Sequence, residues 1–466
     1  MKTLFHRAWV LYLIALIFLC GVGILSYTFL TNADSWAMKR SNRHIFKSGN
    51  LVTAGTITDE SGVVLAESSD GKRTYHKSKD IRTATLHIVG DAQGYIASGV
   101  QTSYNGVLTG YNLIDGVYGL KKYGKGSDIQ LTVNAELCAT AYNALGNNKG
   151  TVGVYNYKTG EIVCVVSKPS YDIQNKPTEN INNDTKGVYD GVYLNRFFSG
   201  VYTPGSTFKV ITSACAIDNI ANIDSQTFKC TGEYSVDGNS VKCMSVHGSI
   251  NFEQALNQSC NSAFARIAIE LGSEKLNATT AQLGFGKRYK VGNVTLARSS
   301  FDLTGASDLE IGWAGVGQHK TRVNPCHMMM IIGAIANGGS SPQPYFIKSV
   351  TSPTGNRSET KSGVMLEQMI NPATADKLAD MLRSNVKNSY GDGKFPSLEM
   401  CGKTGTAEVS SEEGGAAPHA WFVGFSQKEN FPYAIVVVVE NGGGGSSVAI
   451  PVANKTMQKT AQLFAK

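Results

Sequence analysis

The longest apolar run of the chain is residues 8–30, AWVLYLIALIFLCGVGILSYTFL, which holds no charged side chain. As a helix it would extend roughly 34 Å, enough to cross a bilayer. A cleaved signal peptide has an apolar core of about 7–15 residues, so the run predicts an uncleaved anchor at 8–30 behind a tail at 1–7. Lys2 and Arg7 precede the span, while Lys39, Arg40, Arg43 and Lys47 follow it. Charge alone therefore favours the tail outside. From residue 55 to about 149, short β-prone runs such as AGTITDESGVVLAES and TATLHIVG are separated by Gly, Asp and Ser and carry no reactive cluster. The next stretch, GTVGVYNYKTGEIVCVVSKPSYD, has two β-branched and aromatic runs around Lys158, Thr159 and Gly160, the pattern of a hairpin and its turn. Helical periodicity at 262–272 and 373–384 and a late strand, FPYAIVVVVE, complete an α+β order rather than alternating βαβ units.

Composition narrows this picture. With 466 residues, 42% of them hydrophobic, the chain can bury at least two sizeable cores. The net charge of +7 is mild and unclustered, which fits an anionic surface or polymer nearby and argues against nucleic-acid reading. The nine cysteines look too scattered for a disulfide framework or a metal site. Only Cys230 and Cys243, in KCTGEYSVDGNSVKC, read as a local pair, and sequence leaves open whether they are bridged or reduced. His247 and His319 show no second metal ligand at a useful spacing and are expected to make loop hydrogen bonds. The glycines at 442–445 read as a mobile strand-end loop, since no Lys-Ser/Thr follows them to make a phosphate cradle.

Candidate chemistry begins at YTPGSTFKVITSACAID, where Pro204 and Gly205 break the chain before an apolar run predicted to open a helix at Ser206. Free N–H groups at a helix start can stabilise an oxyanion, and Lys209, three residues on, returns to the same face. Desolvation or a second cation lowers a lysine enough to take a hydroxyl proton. Ser-x-x-Lys alone is weak: SETK at 358 and SNVK at 384 also match, and both read as solvated. Ser-x-Asn occurs at 48, 103 and 259. Only one ordered set places each member where chemistry can use it: STFK at 206, SCN at 259 between helical segments, and KTGT at 403 beside a strand.

That constellation is the one associated with penicillin-binding proteins and serine β-lactamases. The flanks LNRFFSGVYTPGSTFK, HGSINFEQALNQSCNSAF, GQHKTRVNPCHMMMIIGAIANGG and GKTGTAE followed by HAWFVGF resemble class B penicillin-binding proteins. The opening AGTITDESGVVLAES is similar, more loosely, to the penicillin-binding protein A type, with Ala54 and Glu60 where arginines are usual and His319 in place of a small residue. The resemblance implies a small β-rich pedestal of the dimerisation type at 31–149. After it, at 150–466, comes a transpeptidase domain with an antiparallel sheet flanked by helices.

It also implies roles. Ser206 would be the nucleophile, Lys209 its base, Ser259 a proton relay, Asn261 a substrate-amide partner, and Lys403 a cation near the substrate carboxylate that lowers the Lys209 pKa. Thr404 and Thr406 would bind that carboxylate, with the N–H groups of Ser206 and Thr406 as oxyanion hole and Gly405 leaving room for substrate along the strand. The implied activity is peptidoglycan D,D-transpeptidation with stem peptides as substrates and β-lactams as covalent inhibitors, without metal or organic cofactor. The implied location is the bacterial cytoplasmic membrane, N-terminus inside and catalytic domain outside. A glycan polymerase is an expected partner, and a homodimer is left open. Two alternatives stand beside this reading. One is a β-lactam hydrolase or sensor on the same fold, disfavoured because the nearest Glu-x-x-Leu-Asn match has Gly191 in the glutamate position. The other is a wall-assembly scaffold whose site is dispensable.

Overall fold

A computed structural model of the chain describes residues 2–37, 46–47, 50–51, 54–69, 72–111, 126–408 and 417–465. The basic residues Lys39, Arg40 and Arg43 and the Ser-x-Asn at 48 fall at least partly outside them. Helix α1 (Lys2–Ala37) is 36 residues long. Its stretch Arg7–Ala33, with mean hydropathy 2.6, makes it the one helix among the described residues long and apolar enough to cross a membrane, as an anchor requires. Near its C-terminal end the hydroxyls of Thr28 and Thr31 donate back to the carbonyls of Ile24 and Tyr27, at 2.7 and 2.8 Å, which satisfies them within the helix.

The first sheet uses β1 (Ile57–Thr58), β2 (Val64–Ser69), β3 (Lys72–Tyr75) and β4 (Asp128–Leu131). Where a family arginine is usual at Ala54, the Arg73 guanidinium on β3 holds the local backbone, donating to the carbonyls of Ala54 and Gly55 at 3.1 and 2.8 Å. The predicted hairpin follows as β5 (Gly150–Asn156) and β6 (Ile162–Lys168). Its turn is closed by the Asn156 side chain, which accepts from the N–H groups of Lys158 and Thr159 at 2.8 and 3.1 Å. Gly160 supplies the left-handed φ of 87° that finishes the turn. The first Lys-Thr-Gly is thus a turn.

Helix α2 (Lys209–Asn219) leads to four short strands, β7 (Thr227–Cys230), β8 (Glu233–Val236), β9 (Asn239–Lys242) and β10 (Gly248–Asn251), paired as β7 with β10 and β8 with β9. Then come α3 (Asn261–Gln282), α4 (Pro325–Ala336), β11 (Ile347–Thr351), β12 (Arg357–Glu359), α5 (Pro372–Asn385), β13 (Met400–Ala407), β14 (His419–Ser426), β15 (Tyr433–Val439) and α6 (Ile450–Phe464). The six-stranded sheet runs β12-β11-β4-β1-β2-β3, so strands from beyond residue 149 complete the sheet of the first part.

The five-stranded sheet runs β13-β14-β15-β5-β6 and is antiparallel throughout. Every residue of β5 and β15 is buried, so helices cover both faces of the sheet. Helix α4 packs on β5, β14 and β15, and α6 packs on β15. The α+β expectation holds. At the strand end after β15 the last glycine of the run packs tightly: Gly445 is buried, and a Cβ there would lie 2.5 Å from the Gly405 carbonyl, whereas Gly444 is exposed and Gly443 has open space where a Cβ would stand.

Candidate active site

Pro204 and Gly205 turn the chain against the loop at Gly317, whose carbonyl accepts from the Gly205 N–H at 2.9 Å. Gly205 has φ of 53°. Ser206 lies in a tight 3-10 turn, Gly205–Phe208, and α2 begins only at Lys209. The helix expected from Ser206 is therefore preceded by one narrower turn, a common way to start a helix. The turn leaves the Ser206 hydroxyl 3.0 Å from the Lys209 ammonium nitrogen.

Ser259 and Asn261 flank the N-cap of α3. Ser259 is held at φ of 53°, a conformation unusual for a residue with a Cβ and one that turns both its hydroxyl and its carbonyl towards Lys209. The Lys209 Nζ lies 2.6 Å from the Ser259 carbonyl, 2.7 Å from Asn261 Oδ1 and 3.1 Å from the Ser259 hydroxyl. Lys403 on β13 approaches from the far side, with Nζ 3.0 Å from the Ser259 hydroxyl. The three sequence-distant motifs meet around one hydroxyl pair.

Both lysines are buried, and burial pushes both below the ordinary lysine range. For Lys209 the shift is large, with burial the main cause and the nearby Lys403 charge the next. Lys403 falls to about 7 through burial alone. An ammonium has three N–H groups, and Lys209 faces four oxygens. A neutral amine can give its two N–H groups to the shorter contacts, the carbonyl oxygens of Ser259 and Asn261, and keep its lone pair for one of the two hydroxyls, of which Ser206 is the nearer. Such an amine is chemically able to accept a hydroxyl proton. Among the described residues no carboxylate bonds to Ser206, Lys209, Ser259 or Lys403.

Edge strand β13 carries Lys403, Thr404, Gly405 and Thr406. The Thr404 N–H, which points away from the sheet, donates to the Tyr390 hydroxyl at 2.9 Å, and that hydroxyl also bonds Thr404 Oγ1 at 2.9 Å. Thr406 Oγ1 accepts from the Gly445 N–H at 3.3 Å. Gly405 has a further reason for being glycine besides room for substrate. A Cβ there would lie 2.6 Å from the Pro204 carbonyl and 3.0 Å from Thr207 Cγ2, so its absence lets β13 dock directly on the nucleophile turn. The Trp421 indole N–H on β14 pins the same turn through the Thr203 carbonyl at 3.0 Å.

The decoys stay apart. SETK lies on the exposed strand β12. In SNVK, Lys387 is exposed and the Ser384 hydroxyl contacts Glu253 and Asn257, so it is a packing contact rather than a solvated loop. His319 takes φ of 60°, the conformation a glycine would supply, and its Nε2 lies 3.6 Å from Glu310.

Two features escaped the sequence reading. Tyr390 sits in polar NSYGDG, where nothing flags an interior hydroxyl. Cys230, Cys243, His247 and Cys260, expected to be scattered, have ligand atoms all within 4.8 Å of one another. Cys243 and His247 share one loop, a Cys-x3-His spacing that could have flagged them, whereas Cys230 and Cys260 come to them from other elements. None of the cysteines in the structure is bridged, Cys230 and Cys243 included.

Residues 150–458 match the penicillin binding protein transpeptidase domain. The chain is 24% identical to the peptidoglycan D,D-transpeptidase PbpA of Mycolicibacterium smegmatis, over 94% of each. The crystal structure of the D,D-transpeptidase domain of a peptidoglycan glycosyltransferase from Eggerthella lenta is 27% identical, with a TM-score of 0.76 over 88% of this chain and 98% of that one. A ceftriaxone acyl-enzyme complex of penicillin-binding protein A from M. tuberculosis shares the fold at 23% identity, with a TM-score of 0.77 over 87% of this chain and 98% of that one. With more than half its length matched to this domain, and relatives of the penicillin-binding protein A type, the chain belongs to the class B penicillin-binding protein transpeptidases.

Proposed function

We propose that the chain is a serine-type peptidoglycan D,D-transpeptidase that β-lactams acylate at Ser206. The observation that carries the reading is the buried Lys209 amine 3.0 Å from the Ser206 hydroxyl. Ser206 Oγ attacks the penultimate D-Ala carbonyl of a stem peptide as its proton passes to Lys209. The oxyanion is held by the N–H groups of Ser206 and Thr406. The C–N bond then breaks, the proton returns through Ser259 to the leaving amine, and terminal D-Ala departs. An acceptor amine attacks the ester, forms the cross-link and restores the Ser206 hydroxyl. Asn261 hydrogen-bonds the substrate amide, and Lys403, Thr404 and Thr406 receive its carboxylate. This activity sets the topology, tail inside and residues 31–149 and 150–466 outside as pedestal and catalytic domain. It calls for a glycan polymerase as partner, and the pedestal is a candidate homodimer surface.

The test is intact mass of the detergent-solubilised chain after penicillin, alongside Ser206→Ala and Ser358→Ala, followed for hours. A long-lived adduct missing only from Ser206→Ala is expected. Rapid turnover to penicilloate would favour a hydrolase, and no adduct at any dose would leave a scaffold.

A further inference from the structure

Beside the catalytic cleft, β7 ends at Cys230, the loop after β9 carries Cys243 and His247, and Cys260 caps α3 between Ser259 and Asn261. Cys230 and Cys260 are buried and the other two are partly so. In a tetrahedral site with Zn–S of about 2.3 Å and Zn–N of about 2.0–2.1 Å, sulfurs stand about 3.8 Å apart and sulfur to nitrogen about 3.6 Å. The distances here are 3.7 Å for Cys243 to Cys260, 3.4 Å for Cys230 to His247 Nδ1 and 3.6 Å for Cys243 to His247 Nδ1. We propose that Cys230, Cys243, His247 and Cys260 hold one zinc ion as a closed structural site that fixes the loop bearing Ser259 and Asn261.

The surroundings are those of a metal ligand shell. His247 sets its other nitrogen, Nε2, 3.1 Å from the Ser245 hydroxyl, a partner able to accept the Nε2–H when Nδ1 is a metal ligand. The Asn261 N–H points at Cys243 Sγ at 3.0 Å and the Ala263 N–H at Cys260 Sγ at 3.4 Å, and the Ser262 hydroxyl lies 3.6 Å from Cys230 Sγ. The two backbone N–H donors, with the positive end of α3, favour thiolates at Cys243 and Cys260, while the Cys230 thiol donates to the Ser262 hydroxyl. Four protein ligands leave no open position, so the ion would hold structure rather than activate water.

The loop also needs a fastening. Between Cys243 and His247, Met244 is 93% exposed and Val246 69%. It buries no apolar side chain of its own, whereas the strands around it are anchored by buried Phe228, Val236, Val241 and Ile250 and β7 to β9 pack on α3. The Asn261 amide nitrogen donates to the Lys242 carbonyl at 2.9 Å, so the same loop positions the group that faces Lys209. The catalytic consequence rests on the reading of Ser259 and Asn261 above, whereas metal binding itself does not.

The test uses the full-length, detergent-purified chain. Metal content by plasma mass spectrometry, before and after anaerobic reconstitution with zinc, is compared with Cys243→Ser, His247→Ala and, as control, Cys20→Ser. Intact mass under non-reducing conditions is read on the same samples. The expected result is one zinc per chain, lost in the first two variants and kept in the control, with the three ligand thiols becoming reactive only after chelation. Should the variants not fold, cobalt replacement in the unaltered chain must show thiolate-to-cobalt charge-transfer absorption. No metal after reconstitution, or a mass two hydrogens short from a Cys230–Cys243 or Cys243–Cys260 disulfide, would overturn the site. Chelation should also slow penicillin acylation on the order of tenfold; an unchanged rate in a metal-stripped chain would overturn the positioning role.

Discussion

Replacing Tyr390 with Phe removes one oxygen and almost no volume, which makes it a clean probe of how β13 is held. Tyr390 is partly exposed, but its hydroxyl is enclosed among Asn385 and Thr404, and desolvation raises its pKa, so it stays a neutral phenol able both to accept and to donate. It accepts from the Thr404 N–H at 2.9 Å and from Asn385 Nδ2 at 3.0 Å, and bonds Thr404 Oγ1 at 2.9 Å. In Tyr390→Phe, one Asn385 Nδ2–H keeps the Gly402 carbonyl at 2.6 Å while the other loses its partner, and the Thr404 hydroxyl can rotate. The Thr404 N–H cannot, because it faces away from β14 on an edge strand. An unsatisfied buried donor costs about 1–3 kcal/mol. Thr404 is 9% exposed, which gives water a partial route and places the cost near the lower end, about 1–2 kcal/mol. At roughly 2–4 °C per kcal/mol for a domain of this order, the melting midpoint should fall by several degrees. If the same freedom loosens Thr404 towards a substrate carboxylate, acylation by a fluorescent penicillin should slow about tenfold, the kinetic equivalent of about 1.4 kcal/mol. A midpoint within one degree of the parent together with an unchanged acylation rate would refute this account of Tyr390.

The acylation rate should be bell-shaped in pH. Lys209 must be neutral to act as base, so the rate rises as pH climbs through its lowered pKa, and it falls as Lys403, lowered to about 7, loses the charge that meets the carboxylate. Lys403→Arg, always charged, should move the alkaline limb upward, and a limb that stays put would assign it to another group. Gly405→Ala puts a Cβ 2.6 Å from the Pro204 carbonyl and must push β13 off the nucleophile turn; a loss of about 1–3 kcal/mol in urea midpoints and about 100-fold in acylation is expected. Gly333→Ala on α4 would set a Cβ 1.3 Å from the Tyr155 hydroxyl, far from Ser206 in sequence and role. It should cost about 3 kcal/mol of stability while the folded fraction acylates at the parent rate.

The parts legible in the sequence are those where chemistry is local. The hairpin at Lys158 to Gly160 follows from turn residues between β-branched runs, and the nucleophile turn follows from Pro204 and Gly205 ahead of an apolar helix. The ordered serine, asparagine and lysine motifs were legible only as a set, since each alone recurs by chance. Tyr390 was not, because an interior hydroxyl inside a polar segment looks the same as a surface one. The cysteine and histidine cluster was hidden for another reason: its members join only when β7 pairs with β10 and both meet the start of α3. For Gly405 the motif suggested room for substrate, and only the fold shows that a Cβ there would also meet the Pro204 carbonyl.

The pairing of Val350 with Ile129 stitches a late segment of the chain into a sheet whose other strands come early. As the polypeptide emerges, β1 to β4 must wait, with the free edge of β4 exposed, until the stretch carrying β11 and β12 arrives. Long-range closure of this kind is slow and leaves an unpaired strand open to the wrong neighbour. Cutting the chain near residue 150 to isolate the catalytic half would leave β11 without its β4 partner. Fragments cut there are the ones expected to clump, and a soluble version of this protein should begin ahead of β1.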